Sequence, residues 1–146
     1  MKVQRILAGK PRRIITIKPH ESVRAAVEKL TENKIGALIV VANDGKLVGI
    51  VSERDIVHAA ATSDDIFDQK VLDIMTRDVV VGLPQDDVMS VAHTMTERRF
   101  RHLPIMQDDE IIGMLSIGDI LKAQRDVYRG EIDTLETQIM ADESEY

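Results

Sequence analysis

Apolar and polar positions alternate along this chain in a pattern that occurs twice. Val23, Ala26, Val27 and Leu30 fall at i, i+3, i+4 and i+7, and Val88, Val91, Ala92 and Met95 repeat that spacing. Each set predicts one apolar face of a helix. After each helix come two apolar runs around a polar turn, 37–41 with 46–51 and 103–106 with 111–115. Short apolar runs flanking Asn43-Asp44-Gly45 or Asp108-Asp109 predict hairpins. A short strand ended by a turn proline precedes each helix, at 14–17 before Pro19 and at 79–81 before Pro84. A second helix begins near Ser52 and again near Ser116. The expected order is β-α-β-β-α, twice.

The two copies align residue by residue. Pro19-His20-Glu21-Ser22-Val23 recurs 65 positions on as Pro84-Gln85-Asp86-Asp87-Val88. Gly49-Ile50-Val51-Ser52-Glu53-Arg54-Asp55-Ile56 recurs 64 positions on as Gly113-Met114-Leu115-Ser116-Ile117-Gly118-Asp119-Ile120. The slip of one residue falls in the hairpin turn, where insertions are tolerated. About 50 ordered residues per copy are thin for an independent core, so the two sheets are expected to pack together with pseudo-twofold symmetry. The expected layout is unit one with its N-terminal segment at 1–61, a linker at 62–78, unit two at 79–123, and a C-terminal helix extension with an acidic tail at 124–146. Within the linker, Val71-Leu72-Asp73-Ile74-Met75-Thr76 reads as a short helical lead-in to unit two.

Composition narrows the function. No apolar run approaches the roughly 18 residues that span a bilayer. A net charge of −6 with two Tyr, two Phe and no Trp lacks the basic surface and stacking residues of a nucleic-acid binder. With no cysteine there is no disulfide, thiolate metal site or cysteine nucleophile, which suits a reducing cytoplasm. The ends differ in sign: Lys2, Arg5, Lys10, Arg12 and Arg13 make the N-terminus basic, without a secretory h-region, while residues 142–146 form an acidic tail expected to fray. His20, His58 and His93 show no metal-ligand spacing, and neither a catalytic triad nor a phosphate-binding glycine loop is present.

Two tandem β-α-β-β-α units, each closing on Gly-x-x-Ser-x-x-Asp-Ile, resemble the paired cystathionine-β-synthase-type (CBS) domains of the Bateman module. The lead-in at 71–76 and the stretch Arg99-Phe100-Arg101-His102-Leu103-Pro104-Ile105 are similar to the corresponding segments of that family, and the resemblance covers roughly residues 14–123. It implies an α/β (α+β) fold and a non-catalytic sensor of energy or redox state. Its ligand would be an adenine nucleotide (AMP, ADP, ATP or NAD(H)) or S-adenosylmethionine, held in the clefts between units. The output would go to an unidentified effector.

Ser52-x-x-Asp55 and Ser116-x-x-Asp119 have a plain structural reading as capping boxes, each worth about 1 kcal/mol. The resemblance adds a second reading: Asp55 and Asp119 accept from ribose hydroxyls, while Ser52, Ser116 and the helix N-termini face phosphate, where free N–H groups favour an anion. Arg101 and His102 match the stretch that reaches phosphates. Arg54 is open between phosphate, Asp55 and a partner subunit. Gly36 and Ala37, small at the matching place in unit one, would leave room for a phosphate chain. By resemblance, Thr16, Lys18, Val80, Gly82 and Pro104 line the base.

The final helix is expected over about 117–140, with Ile132, Leu135 and Ile139 forming a stripe beyond the repeat. A stripe with nothing of its own chain left to cover implies a partner surface and a homodimer. The competing reading is a structural dimerisation adaptor that binds no ligand.

Overall fold

A computed structural model of the chain describes residues 1–11 and 13–144, with side chains described through Ala141. Arg12 and the side chains of the acidic tail lie outside the described residues. Unit one contains β1 (Thr16–Ile17), α2 (Val23–Asn33), β2 (Ala37–Val41), β3 (Leu47–Ser52) and α3 (Glu53–Ala60), preceded by α1 (Val3–Ala8). A 3-10 turn (Ile66–Asp68) and α4 (Val71–Ile74) lead to α5 (Val88–Arg98), β4 (His102–Gln107), β5 (Glu110–Ser116) and α6 (Ile117–Ser144).

The repeat is kept in the local chemistry. Ser22 caps α2 by accepting from Ala25 N at 3.1 Å, and Asp87 caps α5 by accepting from Ser90 N at 3.1 Å. Each cap satisfies a helix N–H that has no intrahelical partner, worth about 1 kcal/mol. Both helices end on a left-handed residue, Lys34 (φ 53°) and Arg99 (φ 58°), which turns the chain into the following strand. The hairpins pair antiparallel, Leu38 opposite Val51 and Leu103 opposite Leu115. Their turns differ: Gly45 supplies φ +83° in the longer one, whereas Asp108 and Asp109 both adopt positive φ in the shorter, as a two-residue hairpin turn requires.

The first sheet runs β1-β2-β3, with β1 parallel to β2. The second keeps only β4-β5, and the strand expected at 79–81 is reduced to one parallel bridge, Gly82 to Ile105. Gly82 N donates to Pro104 O and Met106 N to Gly82 O, both at 2.9 Å. Continuing that register would require a donation from the backbone nitrogen of Pro104 to the Val80 carbonyl. Proline has no N–H, so the ladder stops after one bridge.

Among the described residues there are two buried clusters, each completed by a helix from the other end of the repeat. Val71 of α4 is fully buried with Ile17, Ala26, Leu38 and Val51 of unit one, and Ile74 and Met75 pack beside it. Val3 of α1 is fully buried with Val88, Leu103, Ile105 and Leu115 of unit two, and Ile6 and Leu7 pack beside it. The docking bonds match. Val3 N donates to Asp86 O and Gln4 N to Pro84 O; Val71 N donates to Glu21 O and Leu72 N to Pro19 O, all at 2.9 Å. Residues 1–61 are contiguous in sequence, but in space α1 packs on unit two, and α4, which opens unit two, packs on unit one. Gly49 and Gly113 accommodate this exchange. A Cβ on Gly49 would lie 2.6 Å from Met75 Sδ, which forces something to shift, and one on Gly113 3.0 Å from Leu7 Cδ2, a tight contact that the leucine must yield to.

Candidate functional site

The exchanged lead-ins place two cavities between the units, each of about 480 Å³. That volume lies within the range of small-molecule sites. Each cavity is built from the Ser-x-x-Asp of one unit, the chain leaving the docked lead-in helix, and the helix end of the opposite unit.

In the first cavity, Ser52 and Asp55 at the start of α3 meet Thr76, Asp78, Val79 and Val80 and, from unit two, Arg98 to His102. The capping box forms: Ser52 Oγ accepts from Asp55 N at 3.2 Å, and Asp55 Oδ2 accepts from Ser52 N at 2.9 Å. Among the described residues, Asp55 Oδ1 accepts only from the Thr76 hydroxyl, at 3.4 Å. Arg54 donates to the Arg99 carbonyl at 3.5 Å and so reaches across to the other unit. Arg54, Arg98, Arg99 and Arg101 face Glu53, Asp55 and Asp78 in this lining. Cation excess beside a helix N-terminus suits an anion of phosphate type.

The second cavity joins Ser116 and Asp119 to Lys10, Pro11, Arg13, Ile14 and Ile15, and to residues 33–37 of unit one. Here the carboxylate is already paired. Lys10 Nζ donates to Met114 O at 2.7 Å and to Asp119 Oδ2 at 2.7 Å, and Ser116 N donates to that carboxylate oxygen at 2.8 Å. Burial pushes the Asp119 carboxyl up, but the Lys10 and Ser116 bonds outweigh it and hold the carboxyl below the ordinary range. Arg13 is tied to Asn33 Oδ1. The walls are largely aliphatic, with Ile14, Ile15, Ile35, Ile39, Ile112 and Met114.

The grouping differs from the sequence expectation in several places. Arg101, expected at phosphate, lines the cavity of Asp55. His102 lines both cavities. The space beside Gly36 is occupied by the His102 imidazole: a Cβ there would lie 3.1 Å from both Cε1 and Nε2. Gly36 lines both cavities, Ala37 the second and Val80 the first. Thr16, Lys18, Gly82 and Pro104 line neither. Thr16 pairs with Ile39, Lys18 Nζ is bound to Ala42 O at 3.0 Å, Gly82 forms the bridge to Ile105, and Pro104 is fully buried. Sequence reasoning missed Thr76, Asp78 and Lys10 as lining residues. The available signal was the shared pattern Val-x-x-Ile-Leu/Met in Val3 to Leu7 and Val71 to Met75, which marks both lead-ins.

Burial lowers the proton affinity of His102, opposed by Glu53 and Asp119 and aided by Lys10 and Arg101, leaving it below the usual histidine value. Its neutral form is therefore favoured in the folded chain. The unfolded chain binds the proton more readily, so stability falls as pH drops through about 6.5 and below. Urea unfolding at pH 7.5 and 5.5 should show this loss, and His102→Gln should reduce it. An unaltered pH slope in that variant would rule out His102 as its source.

Comparison with known proteins reaches the same architecture. The CBS domain family matches residues 11–62 and 71–126. The CBS-domain containing protein of Agrobacterium tumefaciens superposes with a TM-score of 0.81 at 35% identity, covering 84% of this chain and 92% of that one. A CBS domain pair solved in complex with 5-methylthioadenosine and S-adenosyl-L-methionine superposes with a TM-score of 0.76 at 27% identity, covering 90% and 98%. A mitochondrial CBS domain-containing protein of Arabidopsis thaliana is 34% identical over 128 residues, 82% of this chain; the chain spans 60% of that relative's length. Among the described residues no helix is long and apolar enough to cross a membrane.

Proposed function

We propose that this chain, which belongs to the CBS-domain family as a tandem pair, is a non-catalytic regulatory module that binds a phosphorylated adenosine ligand in its first cavity. The observation that carries this is the convergence of Arg54, Arg98, Arg99 and Arg101 on the cavity that holds Ser52 and Asp55. Asp55 Oδ1 turns toward a vicinal diol, the ribose 2′- and 3′-hydroxyls, and the arginines take the phosphates. Val79, Val80, Ile50 and Phe100 give the base an apolar wall. Charge-assisted hydrogen bonds contribute roughly 1.5–3 kcal/mol each, so AMP, ADP, ATP or NAD(H) binds more tightly than adenosine. S-adenosylmethionine, a cation at sulfur, is disfavoured here, although a neighbour of 27% identity is solved with it.

The second cavity is the weaker site, because a ligand must displace Lys10 before its ribose reaches Asp119. Ligand-dependent output passes to a separate effector or through self-association, and depends on the ligand's differential affinity for two states.

Calorimetric titration with adenosine, AMP, ADP, ATP, NAD, NADH and S-adenosylmethionine tests this reading. One tight site for a phosphorylated adenylate, at least tenfold tighter than adenosine, is the expected result. No heat from any ligand, with protein purified free of nucleotide, would favour the ligand-free adaptor.

A further inference from the structure

The first half of α6 packs on unit two, but every described residue from Arg125 to Ala141 is exposed. On this arm Tyr128 (62% exposed), Ile132 (54%), Leu135 (57%) and Ile139 (57%) are spaced four, three and four residues apart. That is a heptad seam, with Ile132 and Ile139 at one core position and Tyr128 and Leu135 at the other. An isolated helix of this length is marginal in water, more so with Gly130 on its outer face. The seam calls for a second helix.

The flanking charges select that helix. Arg129 and Glu136 border the seam on one shoulder, Glu131 and Gln138 on the other. If two copies of α6 pair parallel, Glu131 of each faces Glu136 of the other, which places like charges together twice. If they pair antiparallel, with Ile132 against Leu135 of the second copy and Tyr128 against Ile139, Arg129 faces Glu136 twice and Glu131 faces neutral Gln138. We propose that the exposed arm of α6 is a self-association surface that pairs antiparallel with the same arm of a second copy, about a twofold axis between Asp133 and Thr134. The overlap is about 25 Å long, with the two bodies at opposite ends and both cavities left open. This association does not depend on whether nucleotide binds.

Sedimentation equilibrium of the full chain between about 1 and 100 µM tests the proposal. The wild type forms dimers, and Leu135→Glu is monomeric with an unchanged far-UV spectrum. Arg129→Glu and Glu136→Arg each place like charges across the seam twice and weaken the dimer about tenfold. The double exchange Arg129→Glu with Glu136→Arg restores wild-type association. These two residues lie seven apart on one helix and do not face each other within a chain, so rescue reports contact between chains. Three results would overturn the proposal: a monomeric wild type, which leaves the seam to some other partner; single exchanges that the double does not rescue; or a tighter dimer with Glu136→Arg, which is the mark of the parallel arrangement.

Discussion

Asp55→Ala is expected to weaken adenylate binding at the first cavity by at least about 100-fold. Alanine removes Oδ1, the oxygen whose two lone pairs are offered to the ribose diol, and charge-assisted bonds of this kind contribute roughly 1.5–3 kcal/mol each. The same change opens the capping box of α3, where Asp55 Oδ2 accepts from Ser52 N at 2.9 Å. That loss costs about 1 kcal/mol of stability, too little to unfold a protein of ordinary stability. Asp55→Asn separates the two roles. Asparagine retains one oxygen that can accept the Ser52 N–H, but it then turns an NH2 donor, not an acceptor, toward the diol. Calorimetry should therefore find both variants defective in binding, with only Asp55→Ala clearly less stable. Wild-type affinity in either would exclude the carboxylate from the ribose site.

The second large effect is expected at Val71. Val71→Asp puts a carboxylate at a position with no solvent exposure, among Ile17, Ala26, Leu30, Leu38 and Val51. An ionised group there must be desolvated or protonated, and either outcome removes the packing of α4 on unit one. The expected cost is about 3 kcal/mol or more, a large share of the stability of a domain this size. Val3→Asp makes the same insult in the other cluster, where Val3 is equally buried, and should lower the urea midpoint as well. A Val71→Asp protein within about 1 kcal/mol of wild type would contradict the exchanged-helix core.

Much of this fold is legible in the sequence because the repeat states it twice. Val23 to Leu30 and Val88 to Met95 carry helix periodicity, and the turns carry Gly45 and the paired Asp108 and Asp109, so elements and order follow directly. The strand expected at 79–81 misleads because its residues are good strand formers. What ends the ladder there is Pro104, twenty-odd residues away, whose missing N–H matters only once the register is known. The N-terminal helix is illegible for a different reason. Six residues with one strongly buried position, Val3, give too little periodicity to recognise alone.

The candidate site shows the same division. Ser52, Asp55, Ser116 and Asp119 are legible because the repeat presents them twice at fixed spacing. Which cations join which carboxylate is not, because that depends on the lead-in helices crossing to the opposite units. Arg101 therefore lines the cavity of Asp55, and Lys10 pairs with Asp119 at 2.7 Å. Thr16, Lys18, Gly82 and Pro104 sit near the right strands, but their places are set by pairing and burial, which local sequence does not display.

Binding of a phosphorylated adenylate between Asp55 of unit one and the arginines of unit two is tested most directly by following backbone amide resonances of the ¹⁵N-labelled protein during titration with AMP. The largest shifts are expected on Ser52 to Asp55 and on Arg99 to His102, with smaller changes around Ser116 to Asp119. Shifts confined to the second cavity, or none at saturating AMP, would contradict that binding mode.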